Sequence, residues 1–167
     1  MRLHHLEVSA FGPFAETQSI DLDGLGEAGL FLISGPTGSG KTSLLDAVSF
    51  ALFGQVPGVR SHKSLQSQHA DSTAAPTVEL EVTLRGRRLR VRRSPAFMRP
   101  GRKTPVQAAI VLDERIDGQW MHLTARLDEA GRILEDVLGM TADQFHRVVV
   151  LPQGDFAAFL HASNDER

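Results

Sequence analysis

The 167 residues contain no cysteine, which excludes disulfides and leaves the seven histidines without the thiolate partners of a structural metal site. No uninterrupted apolar stretch approaches the roughly 18 residues a membrane span requires, and only Arg2 precedes the first alternating segment, so neither a membrane helix nor a targeting leader is legible. These absences predict a cytoplasmic protein with no membrane partner, in which His4-His5 lies on the surface rather than on a metal. A third absence is local. Not one acid occurs between Thr83 and Leu112, whereas Arg85, Arg87, Arg88, Arg90, Arg92, Arg93, Arg99, Arg102 and Lys103 fall inside that window. Half of the chain's 18 cations are gathered there while the net charge is only −2, so charge is segregated along the chain.

What is present begins with Gly35-Pro36-Thr37-Gly38-Ser39-Gly40-Lys41-Thr42, which satisfies G-x-x-x-x-G-K-[ST] at every fixed position. Glycines let such a loop curl until its N–H groups face a phosphate, the lysine reaches the β/γ oxygens, and the threonine hydroxyl sits on Mg²⁺. Residue frequencies give about three chance matches per thousand chains of this composition, and context lowers that further. Leu30-Phe31-Leu32-Ile33 before the loop predicts a strand buried on both faces, and Leu44, Leu45, Val48 and Leu52 after it predict a helix from Lys41 to Phe53 that stops at Gly54. The loop therefore predicts a nucleoside triphosphate site built from Gly35, Pro36, Thr37, Gly38, Ser39, Gly40, Lys41, Thr42 and Ser43.

Around it the chain reads as one domain over 1–167, with 41% hydrophobic residues to build its core. Arg2 to Ala10 and Thr17 to Leu22 predict a hairpin turning at Phe11-Gly12-Pro13-Phe14. Gln55 to Pro76 is polar and aperiodic. Val78, Leu80, Val82 and Leu84, then Leu89 and Val91, predict a second hairpin across Gly86 with one face on the core. Ala108 to Leu112 and Trp120 to Leu123 predict a meander around Asp117-Gly118. A helix capped by Thr124 follows, burying Leu127, Ile133, Leu134, Val137 and Leu138 and ending at Gly139. A second opens with the Thr141-x-x-Gln144 capping box.

Three separated stretches then resemble one family. The phosphate loop running on as Lys41-Thr42-Ser43-Leu44-Leu45-Asp46-Ala47, the opening segment from Met1-Arg2-Leu3 to Phe14, and Val149-Val150-Leu151-Pro152-Gln153-Gly154-Asp155-Phe156-Ala157-Ala158-Phe159-Leu160 are similar to the N-terminal lobe of bacterial SbcC ATPases. Related ATPases often carry Asn where this loop has Thr37, and a basic residue where Gly12-Pro13 lies. The resemblance implies an α/β fold of ABC-ATPase type: a mixed β-sheet with an antiparallel meander, a phosphate-loop helix, and a helical segment leading to a coiled coil. It implies ATP and Mg²⁺ as cofactors, Lys41 and Gln153 as catalytic residues, and Thr42 with Gln153 at the metal, Gln153 bridging Mg²⁺ to the attacking water. It further implies a second lobe from the far end of a longer chain, a second head, an SbcD-type nuclease subunit and double-stranded DNA ends as partners, this chain alone being inactive.

Two expectations remain beside it. Ile110-Val111-Leu112-Asp113-Glu114 has the pattern of a Walker B strand, which would make the chain a self-contained P-loop NTPase or phosphotransferase; the preferred reading is a meander strand with solvated acids at its tip. A nucleotide-dependent interaction module without catalysis is the third class. Alternation also places Arg88, Arg90 and Arg92 on one strand face, about 7 Å apart, near the spacing of successive phosphates on one strand of a nucleic acid, which predicts a row that follows a DNA backbone.

Overall fold

The structure, a computed structural model, describes residues 1–25, 32–57 and 65–150. Six strands, β1 (Arg2–Ser9), β2 (Gln18–Asp21), β3 (Thr77–Leu84), β4 (Arg87–Ser94), β5 (Ala109–Ile116) and β6 (Gln119–Thr124), form one sheet in the order β2-β1-β3-β4-β5-β6. Helix α1 (Lys41–Phe53) packs on β3 and β4, and α2 (Leu127–Leu138) on β5 and α1. The short α3 (Ala142–Phe145) runs into a turn of π-helix over His146–Val150.

Alternation dictates which sheet face receives the helices. His4, Leu6 and Val8 of β1, Val78, Leu80, Val82 and Leu84 of β3, Leu89, Val91 and Arg93 of β4, and Ile110 and Leu112 of β5 are all buried. Two tight turns set the register of the meander: Arg85-Gly86 and Asp117-Gly118 each place both residues at positive φ (47° and 84°, 50° and 80°), the mirror-image turn whose twist matches that of the strands it joins. Every pairing is antiparallel. The parallel part of the expected mixed sheet is therefore not among the described residues. Of the strand expected at Leu30–Ile33, residues 30 and 31 lie outside the described residues; Leu32 and Ile33 join no strand and are 88% and 39% exposed. A strand buried on both faces needs a neighbour on each side, and the antiparallel sheet supplies none here.

Helix α1 is buried almost all round from Asp46 to Leu52, with Leu45 exposed; its apolar stripe is wider than the four leucine and valine positions suggested, because Phe50 packs on Phe11 with ring centroids 5.6 Å apart. It ends at Gly54 in the left-handed conformation (φ 72°), whose N–H donates to the Phe50 carbonyl at 2.7 Å. Arg93, 7% exposed, then donates from Nε to the Ala51 carbonyl at 3.1 Å and from Nη2 to the Leu52 carbonyl at 3.5 Å. Burial lowers its pKa to about 10, which leaves it a cation at neutral pH. Its guanidinium lies where a Cβ at residue 54 would go. Helix α2 closes in the same manner, with Gly139 at φ 72° and Arg85 donating to the Asp136 carbonyl at 3.5 Å.

Three local expectations are corrected. Thr124 is not the cap of α2: the backbone stays extended to Arg126, the N-cap residue, and the Thr124 hydroxyl instead accepts from the Arg126 N–H at 3.0 Å while donating to Glu129 at 2.7 Å. Leu127 is 43% exposed, since α2 buries only Ala130, Leu134 and Val137. His4 is buried rather than on the surface, its Nδ1 2.8 Å from Asp23 and its Nε2 2.7 Å from Thr83. The Thr141 capping box forms, yet α3 lasts one turn before the π-helix. That π turn carries His146, hydrogen-bonded to Ser49 of α1 and edge-on to Phe53 and Phe145.

Gly54→Ala should lower unfolding free energy by about 1–2 kcal/mol, the cost of a left-handed L-residue, with a further loss as Arg93 is displaced; urea titration measures it, and an unchanged midpoint would contradict the described cap. His146 gives a pH signature. Burial lowers its pKa against the opposing pull of Asp143 and Asp46, so below pH 6.5 the unfolded chain binds more protons than the folded one and stability falls with acidification. His146→Asn should remove this loss between pH 6.5 and about 5, where carboxylates do not yet titrate; equal urea-midpoint slopes in that window for both proteins would refute it.

Candidate functional site

The phosphate loop lies on the turn of the opening hairpin. Phe14 N–H donates to the Phe11 carbonyl at 3.0 Å, and that turn is tied to the segment after α1 through Gly12 N–H on Leu65 O and Ser67 N–H on Ala10 O, both 2.8 Å. A Cβ on Gly40, which sits at φ 92°, would come within 2.7 Å of Phe14 Cζ and 3.1 Å of Pro13 Cγ. Glycine is thus required at the loop's last turn for both conformation and space. Where relatives of the resemblance carry a basic residue, this chain places a Pro-Phe ledge under the loop. Sequence reasoning missed that role of Pro13 and Phe14, because nothing local marks a contact across 26 residues.

Beyond the ledge, α1 begins with its N–H groups open. Gly40 offers no side-chain cap, no acid lies in the first turn, and the first helical bond is Leu44 N–H to Gly40 O at 3.1 Å. The N–H groups of Lys41, Thr42 and Ser43 therefore point outward with the positive end of the helix dipole. Lys41 supplies full charge at the same place: its Nζ donates to the carbonyls of Gly35 at 2.8 Å and Pro36 at 2.7 Å, and lies 3.3 Å from Ser39 Oγ. Those carbonyls are good partners only while no better acceptor is present, and phosphate oxygens are better acceptors for an ammonium. The loop from Gly35 to Ser39 and Thr42 are exposed, with Ser43 part-buried behind them. Uncapped N–H groups, a tethered lysine and an accessible loop together fit a phosphate group.

The structure brings together all of the predicted loop residues, Gly35 to Ser43. Gln153 lies outside the described residues. Among the described residues no group of His, Cys, Asp or Glu is arranged to hold a metal ion, and no helix is long and apolar enough to cross a membrane.

Asp113 and Glu114 are not solvated acids at a strand tip. Both lie inside β5, where Asp113 accepts from Arg90 at 2.9 Å and Glu114 accepts from Arg87 at 2.7 and 2.6 Å. That bidentate pair pulls the Glu114 carboxyl below its usual range. Arg88 is engaged as well, by Glu81 of β3 at 3.0 Å. Arg90 also stands 4.5 Å over the Trp120 ring. In the predicted row only Arg92 is exposed and without an ion pair among the described residues. The acids that meet the arginines are distant in sequence but adjacent in register, Glu81 beside Arg90 and Asp113 beside Arg90 on its other side.

Comparison with known proteins agrees with this geometry. The AAA domain family matches residues 5–167. The SbcC subunit of nuclease SbcCD from Staphylococcus aureus strain MRSA252 is 34% identical over 168 residues, and the same protein of strains JH9 and Newman is equally identical; in each case all of this chain is covered but only 17% of the relative. The chain thus spans about a sixth of the length of the curated relatives it matches. With a family match running over nearly its whole length, the chain belongs to the AAA domain family.

Proposed function

We propose that the chain is the N-terminal lobe of a split ABC-type ATPase head serving a DNA-end nuclease, and that it binds Mg-ATP through Gly35 to Ser43. The uncapped start of α1 beside Lys41 is the observation that carries this reading. On binding, the Lys41 ammonium leaves the Gly35 and Pro36 carbonyls for the β/γ oxygens, and the Thr42 hydroxyl takes a place on Mg²⁺. Gln153 bridges the metal and the attacking water, in the role the resemblance gives it. A second lobe from the same protein completes the sheet. Leu32 and Ile33, apolar and exposed immediately before the loop, favour such an addition, and the relatives' greater length allows for it. A second head closing over ATP, an SbcD-type nuclease subunit and double-stranded DNA ends are the remaining partners of this cytoplasmic assembly.

The self-contained reading gains nothing from Asp113 and Glu114. Both carboxylates are committed to arginines on an antiparallel strand, whereas a Walker B acid must be free to hold Mg²⁺ or water.

For DNA, the proposed contact is the Arg88, Arg90 and Arg92 face, extended by its neighbours. Carboxylates hold Arg88 and Arg90, while Arg92, Arg102 and Lys103 are exposed and make no ion pair among the described residues. Glu81 and Asp113 balance the first part of this face, and the β4–β5 connection, which holds no acid, carries the excess of positive charge.

Calorimetric titration of the chain should show weak ATP and ADP binding, with almost no hydrolysis by the chain alone. In a reconstituted head Lys41→Ala should cut turnover by about 10² or more, as loss of a preorganised charge contact does; wild-type turnover in that variant would remove the assigned role. In an ATP-bound full head, changing Arg92, Arg102 and Lys103 together to Gln should flatten the slope of log affinity for duplex DNA against log salt by about 2–3, and Arg88→Gln with Arg90→Gln by less than about 1. An unaltered slope in the triple variant would return this face to plain solvation.

A further inference from the structure

A cleft of about 390 Å³ opens at the far end of α1, between Phe50, Phe53 and Gly54, the end of β4 at Arg93 and Pro95, and the first residue of α2, Leu127. Its walls are largely aromatic and aliphatic, and Arg93 is the buried charge among them. Two features of that arginine set it apart from Arg87, Arg88 and Arg90 of β4. It makes no ion pair among the described residues, whereas Arg87, Arg88 and Arg90 each meet a carboxylate. Its hydrogen bonds are also incomplete: Nε is used at 3.1 Å and Nη2 weakly at 3.5 Å, while Nη1, lying over Gly54, has no partner among the described residues. With the Nε–Nη2 side turned to the Ala51 and Leu52 carbonyls, the Nη1–Nη2 edge is the one left to take a carboxylate in fork geometry.

A buried guanidinium that meets only carbonyls recovers part of its lost hydration from the α1 dipole and leaves a large attraction for any anion that reaches it in a low-dielectric cleft. The volume suits a small organic molecule, and the lining selects one with an apolar body. A triphosphate does not fit this description, and the phosphate loop lies at the opposite end of a 13-residue helix, about 20 Å away. We propose that the cleft is a second binding site, for a small apolar carboxylic acid, its aryl or branched alkyl body between Phe50, Phe53, Pro95 and Leu127 and its carboxylate on the Nη1–Nη2 edge of Arg93. Nucleotide binding at the loop is not required for this assignment.

The test uses ¹⁵N-labelled full chain titrated with 3-phenylpropanoate and, as the neutral body of the same shape, 3-phenylpropanamide. The acid should shift the amides of Gly54, Ala96 and Ala108 and saturate below about 10 mM, with the amide at least tenfold weaker, a difference of about 1.4 kcal/mol. Arg93→Gln should abolish the preference for the acid. Since that variant can lose stability, Leu127→Glu serves beside it: the position is 43% exposed, and both ligands lose the leucine contact, but the carboxylate placed on the rim should weaken the acid at least tenfold more than the amide. Equal response to acid and amide, no response to either, unchanged acid binding in Leu127→Glu, or shifts confined to Gly38 and Thr42 would each overturn the assignment.

Discussion

Helix α1 ends against a buried guanidinium, and the way its last carbonyls meet Arg93 decides how the helix layer sits on the sheet. Taking a guanidinium out of water costs several kcal/mol. Arg93 offsets this with the hydrogen bond to Ala51, worth about 1.5–3 kcal/mol for a charged donor, with a weaker contact to Leu52 at 3.5 Å, and with the negative end of the helix dipole. Sliding α1 along β4 by one turn would forfeit these contributions and bring side chains into the space left by Gly54. The contact therefore fixes register as well as adhesion, which burial of Phe50, Ala51 and Leu52 alone, being non-directional, would not do. Arg85 on Asp136 O repeats the device for α2, at a more exposed and weaker position.

On the opposite face of the same sheet, charge is neutralised across strands rather than along them. There Arg88 meets Glu81 and Arg90 meets Asp113, while on the helix-bearing face Arg87, in phase with Leu89 and Val91, meets Glu114. Each pair is half-buried, and the pairs form a ladder in which like charges on β4 are separated by acids from β3 and β5. Cross-strand pairs of opposite sign contribute about 0.2–1 kcal/mol each and pin the register of the meander. A face that looks strongly basic when β4 is read by itself is close to balanced once its neighbours are in place, and the excess of positive charge moves to Arg92 and the connection that follows β4.

How much of this was legible depends on whether the cause is local. Strands β1, β3 and β4, the turn at Gly86, the two helix ends at Gly54 and Gly139 and the Thr141 box all came out of short-range patterns, because period-2 alternation and cap chemistry act within a few residues. The open start of α1 after Gly40 also follows from the short-range spacing of the Gly35–Thr42 motif. The insertion of β1 between β2 and β3 is set by pairing over 70 residues and left no local mark. Arg93 was partly legible: it stands in phase with Leu89 and Val91, on the inward register, where a cation signals a special partner. Counting acids along the chain failed for the opposite reason, since Glu81 and Asp113 are near Arg90 in space and outside the window in sequence. Leu32 and Ile33 keep the apolar character of a buried strand with no strand beside them among the described residues.

These pieces give α1 two ends of opposite character joined by one rigid body. At its start, open N–H groups and Lys41 offer positive potential to an anion, and the Lys41 ammonium is parked on the carbonyls of Gly35 and Pro36. At its finish, carbonyls are already satisfied by Arg93. Along its side, Ser49 is joined to His146 of the π turn, the element that leads toward Gln153. A shift of α1 would break the Arg93 contacts at its C-terminal end, whereas on the side of the π turn it meets five residues none of which is buried. Ser49 and His146 thus join α1 to the π turn that precedes Gln153 in the sequence.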